Sequence, residues 1–252
     1  MHVPSAIRIR LLGQLDATRP DGTTVAVDEW RTGKTMDLLR LLALENGRPV
    51  RPLSLIDKLW PHARPERARG SLRTASSHIR RAIGTNCILR HPDGLVLQDA
   101  WVDAVCYLED ATRVSVAARS EHHSRVLGIA RSAEQLYTGD FRAYDDDSTW
   151  AAAARERIAH TRHELLCDAA TSALAMRLPR EAADLAAEAV RVNNGSETAH
   201  RLLMAAHAEL GEIGTALRVF ESYRVRLATE LGADPSPQTQ ALHLRLLRGD
   251  SA

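Results

Sequence analysis

The 252-residue sequence predicts an α+β unit followed by an all-α unit, and three observations carry that prediction. Period-2 alternation and glycine-bearing turns are confined to the first hundred residues, whereas alanine-rich helical spacing takes over from Val102. Residues 1–100 hold a net charge of +6 and residues 101–252 a net −5, so the formal +1 of the whole chain conceals a division. Finally, Glu66 to Ile83 is both basic and helical in its spacing.

The elements follow in order. Ile7 to Leu12 alternates Ile, Arg, Ile, Arg and reads as a strand. Leu15 to Thr18 and Val25 to Val27 follow around the turn Pro20-Asp21-Gly22, so a small antiparallel sheet is expected. Thr32 to Glu45 reads as a helix with Thr32 as N-cap, Asn46-Gly47 as its stop, and Met36, Leu39, Leu42 and Ala43 as its apolar stripe. Pro52 to Trp60 is a shorter helix with proline in its first turn and Leu55, Leu59 and Trp60 facing inward. Pro61-His62-Ala63-Arg64-Pro65 breaks the chain before the basic helix. Cys87 to Arg90 and Leu95 to Leu97, joined by His91-Pro92-Asp93-Gly94, read as a β-hairpin. Helix, helix, hairpin in this order is a winged helix-turn-helix over residues 5–100.

The second half predicts an all-α, tetratricopeptide-like domain over residues 103–248, with Trp101-Val102-Asp103 at the junction. Thr149 to Met176, Arg180 to Val192, Glu197 to Leu210 and Gly214 to Leu231 read as helices, and Asp234-Pro235-Ser236-Pro237 opens a last one through Leu247. Ala173 pairs with Ala206 and Ala183 with Ala216 at an offset of 33, close to the tetratricopeptide period.

The basic helix has two sides. Leu72, Ser76, Ile79 and Ile83 fall on one stripe and should be buried with Leu39, Leu42, Leu55, Leu59 and Trp60. Gly70, Thr74, Ser77, His78 and Arg81 point the other way, with Arg73 and Arg80 on a flank. Six arginines lie between Arg64 and Arg81 against one acid, Glu66, near the helix start where the macrodipole favours it. Arginine, hydroxyls and imidazole on a helix suit the major groove of double-stranded DNA. Arg73, Thr74, Ser77 and His78 are therefore expected at base edges, and Arg51, Arg69, Arg80, Arg81 and Arg90 at phosphates.

Other chemistry finds little purchase. Cys87, Cys106 and Cys167 are far apart and form no CxxC or Cys/His cluster, so neither disulfides, metal nor other cofactor is expected. Gly33-Lys34-Thr35 ends like a P-loop, but Asp28 stands where that motif requires its first glycine. Asp145-Asp146-Asp147 reads as an acidic loop capping the helix from Thr149. No nucleophile elbow or HExxH occurs, and no enzyme is expected. The lack of a signal-like N-terminus or an apolar run of about 18 residues leads to the expectation of a cytoplasmic, nucleoid-associated protein.

Ile7-Arg8-Ile9-Arg10-Leu11-Leu12-Gly13, Leu38 to Ala43, Leu55 to Trp60 and Ser77 to Ile83 resemble the OmpR-type DNA-binding domain, in the version found in Streptomyces antibiotic regulatory protein (SARP) activators. Tyr137-Thr138-Gly139-Asp140-Phe141 and Glu230 to Pro237 resemble the bacterial transcriptional activation domain that follows it in that family. The resemblance implies a promoter-binding activator of secondary-metabolite (antibiotic) biosynthesis that binds direct repeats as a homodimer. OmpR-type domains often carry arginine at the position of His78, so base preference here departs from the pattern. The resemblance also places an RNA polymerase contact, the sigma factor and neighbouring subunits, on the loop bearing His62 and Arg64. With no receiver before residue 5 and no ATPase module after 248, control by abundance is expected. A second possibility stays open at this point, a helical-repeat adaptor whose basic domain docks to protein or RNA.

Overall fold

A computed structural model describes residues 6–249. Residue 5, where the expected N-terminal domain begins, lies outside the described residues. The chain forms two compact units: residues up to Glu109 together with Glu134–Ile158, and Asp110–Ala133 together with Ala159 onward.

The first unit starts with β1 (Ile7–Arg10), whose Ile7 and Ile9 face the core while Arg8 and Arg10 face out, as the alternation requires. β2 (Asp16–Thr18) pairs with it antiparallel. The third strand expected at Val25–Val27 does not form. A tight turn (Arg19 N to Thr23 O, 2.9 Å) leaves only an isolated bridge, Thr18 to Thr24. The chain then winds into a 3-10 turn, Val27–Trp30, which buries the Trp30 ring. β1's free edge is instead filled by β5 (Ala100–Val102) in parallel, so the sheet is mixed, in the order β2-β1-β5. Arg8 lies over the Trp101 ring at 4.6 Å from its centroid.

α1 (Gly33–Leu44) is capped by Thr32, whose hydroxyl accepts from Thr35 N at 3.2 Å. It was expected to bury one stripe, yet Thr35, Asp37 and Arg40 are buried as well. Part of the chain from the second half covers its outer side. Phe141 is buried and bridges to Leu12 and Gly13, and the Tyr144 ring lies where a side chain on Gly33 would stand. The buried Asp37 carboxylate accepts from Tyr144 N (2.8 Å) and Asp145 N (3.3 Å) and pairs with Arg40 at 3.1 Å. Asp145 pairs with Lys34 at 2.8 Å, and Asp146 pairs with Arg155. Asp145 and Asp146 of the acidic loop thus each face a full positive charge.

α2 (Pro52–Leu59) and α3 (Pro65–Ile83) pack against each other and α1. Leu39, Leu42, Leu55, Leu59, Leu72, Ile79 and Ile83 are all buried. Trp60 is a correction. It ends α2 with a non-helical backbone and is only half-buried. Ser76 is buried without penalty because its hydroxyl donates to Leu72 O at 2.8 Å. β3 (Ile88–His91) and β4 (Gly94–Leu97) form the expected hairpin.

After β5, Asp103 opens α4 (Asp103–Arg119), its carboxylate accepting from Ala104 N (2.6 Å), Leu11 N (2.7 Å) and Leu12 N (3.2 Å). α5 (His123–Glu134), α6 (Thr149–Ala175), α7 (Pro179–Val192), α8 (Glu197–Glu209), α9 (Ile213–Leu231) and α10 (Pro237–Arg248) follow. The first unit takes α4 up to Glu109 and α6 up to Ile158. In the second unit α7, α8 and α9 pack in succession, and α10 lies on α8 and α9. Ala173, Ala183, Ala206 and Ala216, the pairs picked out by the 33-residue offset, are all buried, where small side chains let helices approach. Met204, Ala216, Phe220, Leu242 and Leu246 form a common core cluster there.

Candidate nucleic-acid interface

Three stretches of the first unit converge on one groove: the start of α2, one side of α3, and the β3–β4 hairpin. Two ties hold the hairpin in place. Val50, just before α2, exchanges hydrogen bonds with Leu95 (Val50 N to Leu95 O, 2.8 Å; Leu95 N to Val50 O, 2.9 Å). Gly94 permits this approach, since its φ of +152° disfavours any side chain and a Cβ would collide with the Val50 carbonyl. On the other strand, Arg80 donates from Nε and Nη2 to Ile88 O, at 3.0 and 2.9 Å.

The groove so framed has a volume of about 840 Å³. Arg51, Arg69, Arg73, Arg80 and Arg90 line it, with Asp93 as the single acid. The Asp93 carboxylate lies 3.5 Å from the His91 ring. Arg51, Arg69, Arg73 and Arg90 are exposed and make no ion pair among the described residues. Guanidinium groups without a carboxylate present their donors to whatever anion enters. Leu53, 63% exposed, and Ile56 add an apolar patch to the α2 side.

The sequence-expected residues divide accordingly. Five arginines come together, and of the four expected base readers only Arg73 lines the groove. Thr74, Ser77 and Arg81 are exposed on α3 beyond its rim. His78 is half-buried, and its Nδ1 is buried without a hydrogen-bond partner. His62 and Arg64 are exposed in the connection before α3, where Ala63 N donates to Trp60 O at 3.0 Å. Sequence reasoning missed the tie through Val50 and the anchoring bond of Arg80. Gly94, directly after an Asp, was the one local signal for the close approach.

Burial pushes the Cys87 and Cys167 thiols up to about 11, so both are protonated near neutral pH. Among the described residues no group of three or more His, Cys, Asp or Glu could hold a metal ion, and no helix is long and apolar enough to cross a membrane.

Residues 102–247 match the bacterial transcriptional activator domain. The chain belongs to that family. This bacterial transcriptional activator domain chain is also similar over nearly its whole length to larger regulators. Regulatory protein AfsR of Streptomyces coelicolor is 30% identical over 256 residues, covering 98% of this chain and 25% of AfsR. Transcriptional regulatory protein EmbR of Mycobacterium tuberculosis is 29% identical over 256 residues, covering 94% of this chain and 62% of EmbR. The chain thus spans less than two thirds of these relatives. A solved structure of M. tuberculosis EmbR in complex with a low affinity phosphopeptide superposes with a TM-score of 0.80 at 23% identity, covering 98% of this chain and 66% of that one, which shows a shared fold. The family match itself begins at residue 102, after the arginine groove, whereas the AfsR and EmbR similarities extend over it. SARP membership, read from Tyr137 to Phe141 and Glu230 to Pro237, agrees with the family match and with AfsR.

Proposed function

We propose that this chain is a sequence-specific, DNA-binding transcription activator, with a winged helix-turn-helix over residues 5–100 and a tetratricopeptide-like activator domain over 103–248. The observation that carries it is the groove in which five arginines face one acid between a helix and a hairpin. In this arrangement α3 enters the major groove, and the β3–β4 hairpin is the wing alongside it. Arg73, Thr74, Ser77 and the remaining nitrogen of His78 read base edges. Arg51, Arg69, Arg81 and Arg90 hold phosphates. Arg80, committed to the Ile88 carbonyl, serves DNA by holding the wing at its angle to α3.

One such unit reads few base pairs, so two protomers on direct repeats supply adequate specificity. His62 and Arg64, on a loop stiffened by Pro61 and Pro65, form a surface for RNA polymerase holoenzyme. The regulated genes belong to a secondary-metabolite pathway, in keeping with the SARP resemblance, and the protein acts in the cytoplasm.

Gel shifts with double-stranded promoter DNA at two salt concentrations test this. Affinity should fall with salt at a slope of about 0.9 per phosphate contact, and Arg69→Ala should lower that slope by about one contact. Binding that ignores salt, or prefers RNA of the same sequence, would refute it. Footprints confined to one isolated half-site would refute the dimer. In transcription assays, His62→Ala/Arg64→Ala should retain DNA binding and lose activation.

A further inference from the structure

The helical unit has a groove of its own, of about 520 Å³, between the end of α6, the side of α8 and the side of α10. Its floor is apolar, made by Leu174, Leu202, Ala205 and Leu242. Arg201 stands one turn into α8 and Arg245 two turns into α10. Glu197 at the start of α8 accepts from Ser236 N at the start of α10 at 2.7 Å, so the two helices begin side by side. Both arginines line the groove together with Leu202 and Leu242.

Neither Arg201 nor Arg245 has an ion-pair partner among the described residues, whereas Arg162, Arg177 and Arg191 of the same unit each pair with a glutamate. The one acid in the groove, Glu209, is already held by Arg177 at 2.9 and 3.0 Å. The groove thus offers two guanidinium groups outside any close ion pair and an apolar floor. A polyanion such as DNA would gain only two contacts here. A leucine-sized side chain flanked by carboxylates meets both features at once.

We propose that this groove docks an acidic segment of a partner protein, one that presents an apolar side chain between carboxylates about one helical turn apart. The carboxylates pair with Arg201 and Arg245, and the apolar side chain enters between Leu202 and Leu242. This surface is distinct from the arginine groove and does not depend on DNA binding.

Random short peptides displayed on phage, selected on the full chain and counter-selected on Arg201→Glu/Arg245→Glu, test the proposal. The counter-selection removes peptides that bind the arginine groove, which the variant retains. Survivors should carry paired Asp or Glu around Leu, Ile or Phe. As synthetic peptides they should bind the Glu variant more than about tenfold more weakly. Arg201→Lys/Arg245→Lys should keep most of the binding, and the Glu variant should still shift DNA. If the Glu variant melts at a lower temperature than the parent, Arg201→Gln/Arg245→Gln replaces it. No survivors, survivors without paired acids, or equal affinity for parent and variant would overturn the proposal. So would a self-association in sedimentation that the Glu variant abolishes, since the groove would then seat a second copy of this chain.

Discussion

Arginine is used in opposite ways in the groove of the first unit and in the ion pairs that link the helices of the second. In the groove of the first unit, Arg51, Arg69, Arg73 and Arg90 face open space with no carboxylate to neutralise them. In the second, Arg162 and Arg191 share Glu188, Arg177 pairs with Glu209, Arg180 with Glu212 and Arg226 with Glu230. Arginine content therefore says little about anion binding, and the position of the acids decides it. A net charge of +1 gives no sign of a groove with five arginines and one acid.

The comparison can be broken most forcefully at the buried pair of the first unit. Asp37 is fully buried, holds Arg40, and accepts two backbone N–H groups from the covering segment. Asp37→Ala strands a buried guanidinium and both N–H groups and should cost ~3–5 kcal/mol in chemical denaturation. If the loss stayed within that of a surface mutant, the 134–158 segment would not be tied to α1 as described.

Next comes the open groove. Arg73→Ala should cost ~1–3 kcal/mol in DNA binding and relax specificity, with unchanged thermal stability. Arg80→Ala should behave differently, lowering the melting temperature and weakening all DNA sequences together, because it removes the tie to the Ile88 carbonyl. Identical behaviour of the two variants would show that the bond to Ile88 O does not set Arg80 apart from Arg73.

The second unit should show a smaller, pH-dependent effect at His200. Its ring is buried against Tyr223, with centroids 4.5 Å apart, and Nδ1 is 2.8 Å from Ser196 O. Burial holds this imidazole below its ordinary 6.5. Below that pH the unfolded chain takes a proton that the folded chain resists, so acidification favours unfolding. Stability should be fully present above pH 6.5 and decline as pH falls through it, and His200→Gln should flatten that decline. Least of all, Arg177→Ala should cost no more than about 1 kcal/mol, since the Arg177 side chain is 77% exposed and surface pairs contribute little.

Much of the architecture was legible in the chain because its signals are local. Thr32 capping α1, prolines opening α2 and α3, and the hairpin around Pro92-Asp93 each depend on a few neighbouring residues. The buried stripe of α3 followed from spacing alone, as did the alanines of the helical unit. Where a side chain's partner lay far along the chain, the sequence was mute. Val25–Val27 looked like a strand, yet β1 took its second neighbour from Ala100–Val102. The four expected base readers share one helix, but only the placement of the hairpin singled out Arg73 as the one inside the groove.

What the sequence by itself determined was the inventory: which stretches are helices, which faces are apolar, and that one helix carries arginine where its neighbours carry leucine. Those properties rest on backbone propensity and periodicity within a dozen residues, so they survive without knowledge of the fold. Only the tertiary structure decided that 134–158 returns to cover α1, that Val50 and Arg80 pin the hairpin, and which arginines keep their charge free. Each of those depends on contacts between residues many positions apart, and such contacts are selected by the burial and pairing of the whole unit, which no local pattern records.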